Sequence, residues 1–86
     1  MKLYILTRYD QDGNYKPRVY TTREAAVSCM IVEYEDTKNI YEPNYIDKAE
    51  IGKAETGDSY AQITLKKHNP YEGKCFDRWD IWEVEI

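Results

Sequence analysis

The sequence has few of the residues that bind metals or act as nucleophiles. It contains one histidine and two widely spaced cysteines in 86 residues, a set that does not make a zinc site. His68 and Cys75 fall in one predicted loop region, where a cysteine–histidine pair could form a nucleophile. No second histidine is present, however, and only Lys74 and Arg78 would favour a thiolate. We therefore expect a protein that is not an enzyme and uses no metal or cofactor.

Long hydrophobic runs are also absent. No apolar run approaches the roughly 20 residues of a membrane-spanning helix. The apolar start, residues 1–6, is soon followed by Arg8 and Asp10 and is too short for the core of a signal peptide. Without a secretion signal, Cys29 and Cys75 are expected to be free thiols in a reducing compartment, although they could in principle pair. The expected location is therefore the cytoplasm, either of a cell or of a host that carries the gene, with no membrane partner.

One motif that suggests a metal site fails on its spacing. Asp10, Asp12 and Asn14 have the spacing of the oxygen ligands that open a calcium-binding loop. The glycine, however, is Gly13, at the fourth place rather than the sixth, and the twelfth place holds Thr21 instead of glutamate. The segment is rich in turn formers, so we expect a hairpin turn rather than a calcium site.

A short basic segment raises the question of nucleic-acid binding. Residues 15–20 mix tyrosines with Lys16 and Arg18, the combination that stacks bases and holds phosphates. The segment is short and the chain as a whole is acidic, with a net charge of -4. Charged residues on an edge strand that keep it soluble explain the same pattern. Direct binding of nucleic acid is therefore not expected.

Tyrosine is the residue that the sequence has in excess. Nine of the twelve aromatic residues are tyrosines, and a tyrosine packs its ring while its hydroxyl stays in water. A chain of 86 residues is expected to form one domain, residues 1–86, with a core of modest size. The core is therefore expected to be thin, with amphipathic side chains along its walls.

Alternation and turn residues predict strands in the first part of the chain. Residues 2–9 have bulky side chains on both faces, which is typical of a central strand. Residues 10–14 form the turn, and residues 16–20 form a second strand paired with the first. Because Pro17 has no N–H, this second strand should be an edge strand or begin after the proline.

The clearest local signal marks the start of a helix. Thr21 and Glu24 fit a capping box, which predicts a helix over residues 22–36. An apolar stripe on this helix is expected to face the core, widened by neighbouring valine and isoleucine; its members are Ala25, Ala26, Cys29, Met30 and Tyr34. The acidic residues near the end of the helix have the wrong sign for a helix C-terminus, a departure that can mark a functional surface.

The second half of the chain contains a weakly determined segment followed by two strands. Two alternatives fit this segment, a short helix over residues 45–51 or a short strand over residues 49–54, and residues 55–58 fit a turn. Residues 59–67 alternate cleanly, with Ala61, Ile63 and Leu65 facing inward. Residues 78–86 form the last strand, and we expect the domain to be complete where this strand ends.

These elements predict the fold class. A helix and a few strands in this order are best accommodated by an α+β domain. We expect a small antiparallel sheet of about four strands, with the main helix packed on one of its faces.

Charge is unevenly distributed along the chain. Residues 1–23 sum to +3, residues 24–58 to -6 and residues 59–86 to -1. An acidic half of this kind can meet a basic partner, or it can simply keep a small protein soluble. Trp79 and Trp82 should point to opposite faces of a regular strand, one into the core and the other toward a partner. The candidate binding residues are Glu33, Glu35, Asp36, Glu42, Tyr41, Tyr45 and Trp79.

The two ends of the chain resemble a known group of proteins. Residues 1–7 (MKLYILT), 19–26 (VYTTREAA) and 79–86 (WDIWEVEI) resemble small proteins of bacteriophages and other mobile elements. Those proteins combine a first strand, a helix that starts F/Y-S/T-T-x-E-x-A, and a strand with the pattern W-x-I-x-E-V. The shared motifs are structural, so the resemblance carries no catalytic residue across. It implies an accessory protein of the bacterial cytoplasm, in a group that includes anti-CRISPR proteins.

Two functional hypotheses follow. The first is a non-enzymatic protein that binds and inhibits or modulates a host protein, such as a nucleic-acid-binding protein or a CRISPR-type defence nuclease. Its contacts would be the acidic surface and exposed aromatic residues. The second is a structural or self-assembling domain that forms a homodimer through an edge strand and inhibits nothing.

Overall fold

The computed structural model describes residues 1–53 and 59–86 and shows the predicted α+β fold. One helix packs on one face of an antiparallel sheet, and the described residues form six strands where the sequence predicts about four. Within these residues, no helix is both long and apolar enough to cross a membrane. The elements are β1 (Lys2–Asp10), β2 (Gly13–Asn14), β3 (Arg18–Tyr20), α1 (Arg23–Ile40), a 3₁₀ turn (Pro43–Tyr45), β4 (Ile46–Lys53), β5 (Ser59–Leu65) and β6 (Phe76–Glu85).

The two longest strands lie side by side in the sheet. The strand order is β2-β1-β6-β5-β4, and β3 pairs with β1. β1 and β6 pair over nine residues, which confirms the predicted central position of β1. β3 begins at Arg18, directly after Pro17, as expected from a residue that cannot donate to a sheet ladder. β3 pairs antiparallel with β1, which confirms the predicted pairing of the second strand with the first.

The helix starts and ends later than predicted. Its N-cap is Thr22 rather than Thr21, and the Thr22 side chain accepts a hydrogen bond from the Ala25 N–H at 3.2 Å. It continues past Asp36 to Ile40, because no glycine or proline interrupts residues 37–40. The acidic residues near the predicted end interact unfavourably with the helix dipole, but this effect is too small to end the helix there.

The core lies between this helix and one face of the sheet. Most of the predicted stripe is confirmed, but Ala25 is exposed and Cys29 is only half-buried at the edge of the core. The inward alternation of β5 is confirmed as well. The buried apolar residues are Leu6, Ala26, Met30, Tyr34, Tyr41, Ala61, Ile63, Leu65, Trp79 and Ile81.

The weakly determined segment contains a strand and not a helix. The alternative of a helix over residues 45–51 is wrong, since only the three residues from Pro43 to Tyr45 are helical. β4 begins at Ile46 and pairs with β5 along its length, which brings Gly52 against the ring of Tyr60. Tertiary pairing thus decides the structure of a segment with no strong local preference. The predicted turn at residues 55–58 lies outside the described residues.

Alternation along the central strands gives the sheet two unlike faces. Leu6 lies opposite Ile81 on the face that the helix covers, and both side chains are completely buried. Ile5 lies opposite Trp82 on the other face, where none of the described elements packs. We call this second face the open face. It carries alternate residues of the long strands β1, β4, β5 and β6.

Candidate functional site

The candidate residues chosen from the sequence do not form one surface. Glu35, Asp36 and Glu42 are exposed, and within the described residues they form no ion pair. Their carboxylates remain available to a basic partner. We call these three residues the acidic surface.

Glu33 is not part of that surface, which corrects the prediction. Its carboxylate forms a two-pronged ion pair with Arg18 and accepts a hydrogen bond from Trp79 Nε1 at 3.1 Å. Arg8 lies 3.9 Å away on the sheet side. The hydrogen bonds from Arg18 lower the pKa of Glu33, and they outweigh the effect of its partial burial. Its charge is therefore neutralised within the molecule and is not offered to a partner.

Two of the three aromatic candidates, Trp79 and Tyr41, are buried, and the third, Tyr45, is half-buried. Trp79 is 0% exposed and lies in the core, so it is not a surface contact. Tyr41 is buried and Tyr45 half-buried, and both pack edge-on against Tyr71, with ring centroids 4.8 and 6.0 Å away. Of the two tryptophans, it is Trp82 that reaches solvent. Alternation alone showed that the two differ in environment, but not which one is buried.

A buried polar cluster that sequence reasoning missed lies at one end of the helix-covered face. The Asp77 side chain is 1% exposed and accepts hydrogen bonds from Arg8 Nη2 at 3.4 Å and from the Tyr41 hydroxyl at 2.9 Å. Arg8 also donates to Thr37 on the helix and lies between the rings of Tyr15 and Trp79. Burial and the bond to Asp77 raise the pKa of Tyr41. The cluster ties the helix to both central strands.

Asp10 extends this cluster on β1. Its carboxylate accepts from the Asp12 N–H, the Tyr15 hydroxyl and Lys74 Nζ, at 2.9, 3.2 and 3.4 Å. Burial acts to raise the pKa of Asp10, but these three donors outweigh it and the net pKa is lowered. From the sequence, Asp10 was expected in a hairpin turn, after a calcium-binding loop had been considered and rejected, and not in a buried cluster. Arg8 lies two residues after Leu6 and therefore on the same face of β1. The alternation of this strand could have predicted a charged side chain on the core face.

The cluster borders a cavity of about 380 Å³, whose lining includes Arg8, Tyr41 and Asp77. Each buried carboxylate already has at least two donors from the protein, whereas Arg8 Nε is buried without a hydrogen-bond partner among the described residues. His68 lies in an exposed loop near Tyr45 and is not part of this cavity. Among the described residues, no group of histidine, cysteine, aspartate or glutamate is arranged to hold a metal. Both cysteines are free thiols.

The open face has the composition of a contact surface at one end. Trp82 is 47% exposed and Val19 is 59% exposed, and both flank Ile5 in one cross-strand row. Leu3 and Val84 form the next row and are half-buried. The Trp82 indole N–H donates to Thr7 Oγ1 at 2.9 Å, which holds the ring against β1. A positioned, partly exposed tryptophan among aliphatic side chains is typical of a binding hot spot.

The other end of the open face carries paired charges and, beyond them, Tyr9 packed edge-on against Phe76 with ring centroids 5.8 Å apart. Arg78 binds Asp80 at 2.9 Å, donates to Gln62 at 2.7 Å and stacks on the ring of Tyr60. The Asp80 hydrogen bonds raise the pKa of Arg78. The net charge of the open face is therefore close to zero, whereas the chain as a whole is acidic. The charged residues that its strands carry are paired with each other.

No protein-family model, curated protein or solved structure matches the chain.

Proposed function

We propose that this chain is a non-catalytic protein-binding module that acts through the open face of its sheet. The observation that carries the proposal is the half-exposed Trp82, held by Thr7, opposite Ile5 and on the same face as Val19 and Val84. Tryptophan is enriched among the residues that dominate binding energies, and burying its apolar surface stabilises a complex. The open face offers such a residue on a rigid pair of central strands.

A second contact surface is proposed at the end of the helix. Glu35, Asp36 and Glu42 are exposed and unpaired within the described residues, so they favour a basic partner such as a nucleic-acid-binding host protein. The more specific hypothesis, a phage-type inhibitor of a defence nuclease in the bacterial cytoplasm, stays a prediction that rests on the sequence resemblance.

The two surfaces can be separated with matched variants. Val19 on the open face and Val32 on the outside of the helix are 59% and 58% exposed, so Val32→Ser is a matched control for Val19→Ser. The purified chain is immobilised and exposed, in separate arms, to bacterial lysate and to the same chain in solution. Association that Val19→Ser and Trp82→Ala weaken by about tenfold or more, and Val32→Ser leaves unchanged, supports the open face.

The same experiment can contradict the proposal. If Val19→Ser and Trp82→Ala change no association in either arm, the open face is not the contact surface. If instead the double variant Glu35→Lys/Asp36→Lys removes capture, and does so at low salt, the acidic surface is the contact surface.

A further inference from the structure

We propose that the occupant of the open face is a second copy of this chain, packed sheet against sheet. The inference rests on the proposed function, because it requires the open face to be a protein-binding surface. Three properties of the described residues support it: the balance of charge on the open face, its dimensions and the position of its apolar residues.

Charge distinguishes the open face from the rest of the molecule. The net charge of the chain is -4, so two copies repel each other over most approaches. On the open face, however, Arg78 is paired with Asp80, and Lys48 with Glu50. Two open faces therefore meet without bringing unpaired like charges together. A basic partner, by contrast, would gain nothing from a neutral surface and would favour the acidic surface.

The dimensions of the molecule suit a dimer of this kind. It measures 45 × 22 × 21 Å, and a broad side of that size offers roughly the 800 Å² per partner of a standard stable interface. Aligned sheets pack face to face about 10 Å apart, with the strands nearly parallel to those of the partner sheet. A β-sandwich of two identical sheets would complete the layer that each copy lacks.

The position of the apolar residues indicates the direction of the symmetry axis. Leu3, Ile5, Val19, Trp82 and Val84 lie together at one end of the open face, and the Arg78 network lies toward the other end. A twofold axis that runs along the strands places the apolar end of one copy on the apolar end of the other. This arrangement covers both copies of Trp82, and it places the Arg78 networks and the Tyr9–Phe76 pairs of the two copies opposite each other toward the other end.

The test is the solution mass of the purified chain at micromolar concentrations and at two salt concentrations. The expected mass rises with concentration from 10.2 kDa toward twice that value. Salt should leave dimerisation unchanged or strengthen it, because salt screens the repulsion between two acidic copies. Quenching of Trp82 fluorescence by iodide should fall as the dimer forms. Val19→Ser and Trp82→Ala should weaken the dimer by about tenfold or more, with Val32→Ser as the control.

Any other outcome overturns the inference. The capture experiment with bacterial lysate then tests the proposed function separately. A monomer at every concentration excludes a second copy as the occupant. A dimer that Val19→Ser and Trp82→Ala leave intact uses another surface, such as the edge of β4. If the chain is monomeric but captures a different protein in a Val19-dependent way, the open face remains a binding surface with another occupant. If capture is also insensitive to both variants, the proposed function fails as well.

Discussion

Asp10 and Asp77 lie directly opposite each other on β1 and β6, and both are buried on the helix-covered face. Two carboxylates at such positions repel each other in a sheet. They are tolerated because each has a cation of its own: Lys74 Nζ is 3.4 Å from Asp10, and Arg8 Nη2 is 3.4 Å from Asp77. The arrangement connects the turn after β1, the loop before β6 and the helix through a single polar cluster.

The first prediction concerns the ion pair in this cluster. Asp77→Ala leaves the Arg8 charge and the Tyr41 hydroxyl buried without their acceptor, and removal of one partner of a buried ion pair costs about 3–5 kcal/mol. Urea unfolding measures this loss. Lys48→Ala, which breaks the exposed pair with Glu50, is the control and should cost less than about 1 kcal/mol.

Should Asp77→Ala fail to fold, the double variant Arg8→Met/Asp77→Leu provides the second measurement. Replacing both charges with apolar groups removes the unpaired charge, so the double variant should be clearly more stable than Asp77→Ala. A double variant that is as unstable as the single one would show that the ion pair does not account for the loss.

The second prediction is the acid sensitivity of the fold. The pKa values of Asp10 and Glu33 are lowered from ordinary values of 3.8 and 4.5. A lowered pKa in the folded state means that stability is fully present above the ordinary pKa and is lost as the pH falls through the folded-state value. Thermal unfolding should therefore show a constant stability near neutral pH and a decline that begins at about pH 4.5.

Glu33→Gln is the variant that checks this assignment. It removes one of the two groups that titrate, so its stability at neutral pH should be lower and its loss of stability on acidification smaller than in the unaltered chain. An acid profile identical to that of the unaltered chain would show that Glu33 does not contribute to it.

The third prediction contrasts the two tryptophans. Trp79→Ala leaves a large cavity between helix and sheet and should cost about 3–5 kcal/mol, whereas Trp82→Ala at its exposed site should cost within about 1 kcal/mol. In Trp79→Phe only Trp82 remains, and iodide should quench its fluorescence readily when the chain is dilute enough to be monomeric. In Trp82→Phe the remaining Trp79 should be protected. Equal quenching in the monomeric variants would contradict the placement of the two rings.

The fourth prediction locates the start of the helix. Thr22→Ala removes the side-chain acceptor of the Ala25 N–H and should destabilise the fold by about 1 kcal/mol. Thr21→Ala is the matched control, because Thr21 precedes the cap, and its effect should be a few tenths of a kcal/mol at most. Chemical denaturation compares the two. A larger loss of stability in Thr21→Ala than in Thr22→Ala would show that Thr21 is the N-cap, as the sequence predicted.

The strength of local signals explains which predictions succeeded. The alternation of Ala61, Ile63 and Leu65 is a local pattern, and a strand that obeys it presents the same face whatever its neighbours are. The helix has a threonine cap and no early breaker, so its existence was predictable although its limits were not. The segment that became β4 has neither signal, and only hydrogen bonding to β5 selects its conformation.

The candidate site was less predictable because it depends on distances across the fold. Glu33 counts as an acidic surface residue in the sequence, yet Arg18 lies fifteen positions away and neutralises it in the structure. From the sequence alone, either Trp79 or Trp82 could be the buried one, because this depends on which face of the sheet the helix covers. The open face arises because the helix covers only one of the two faces of the sheet.

The sequence by itself determined the fold class, the approximate positions of the helix and long strands, and the net charge, because each follows from local periodicity, capping and composition. The tertiary structure alone decided which tryptophan is exposed, which carboxylates are neutralised and which face of the sheet is left open. Those properties arise from residues far apart in the chain, and their contacts are set by strand register and by the side on which the helix packs.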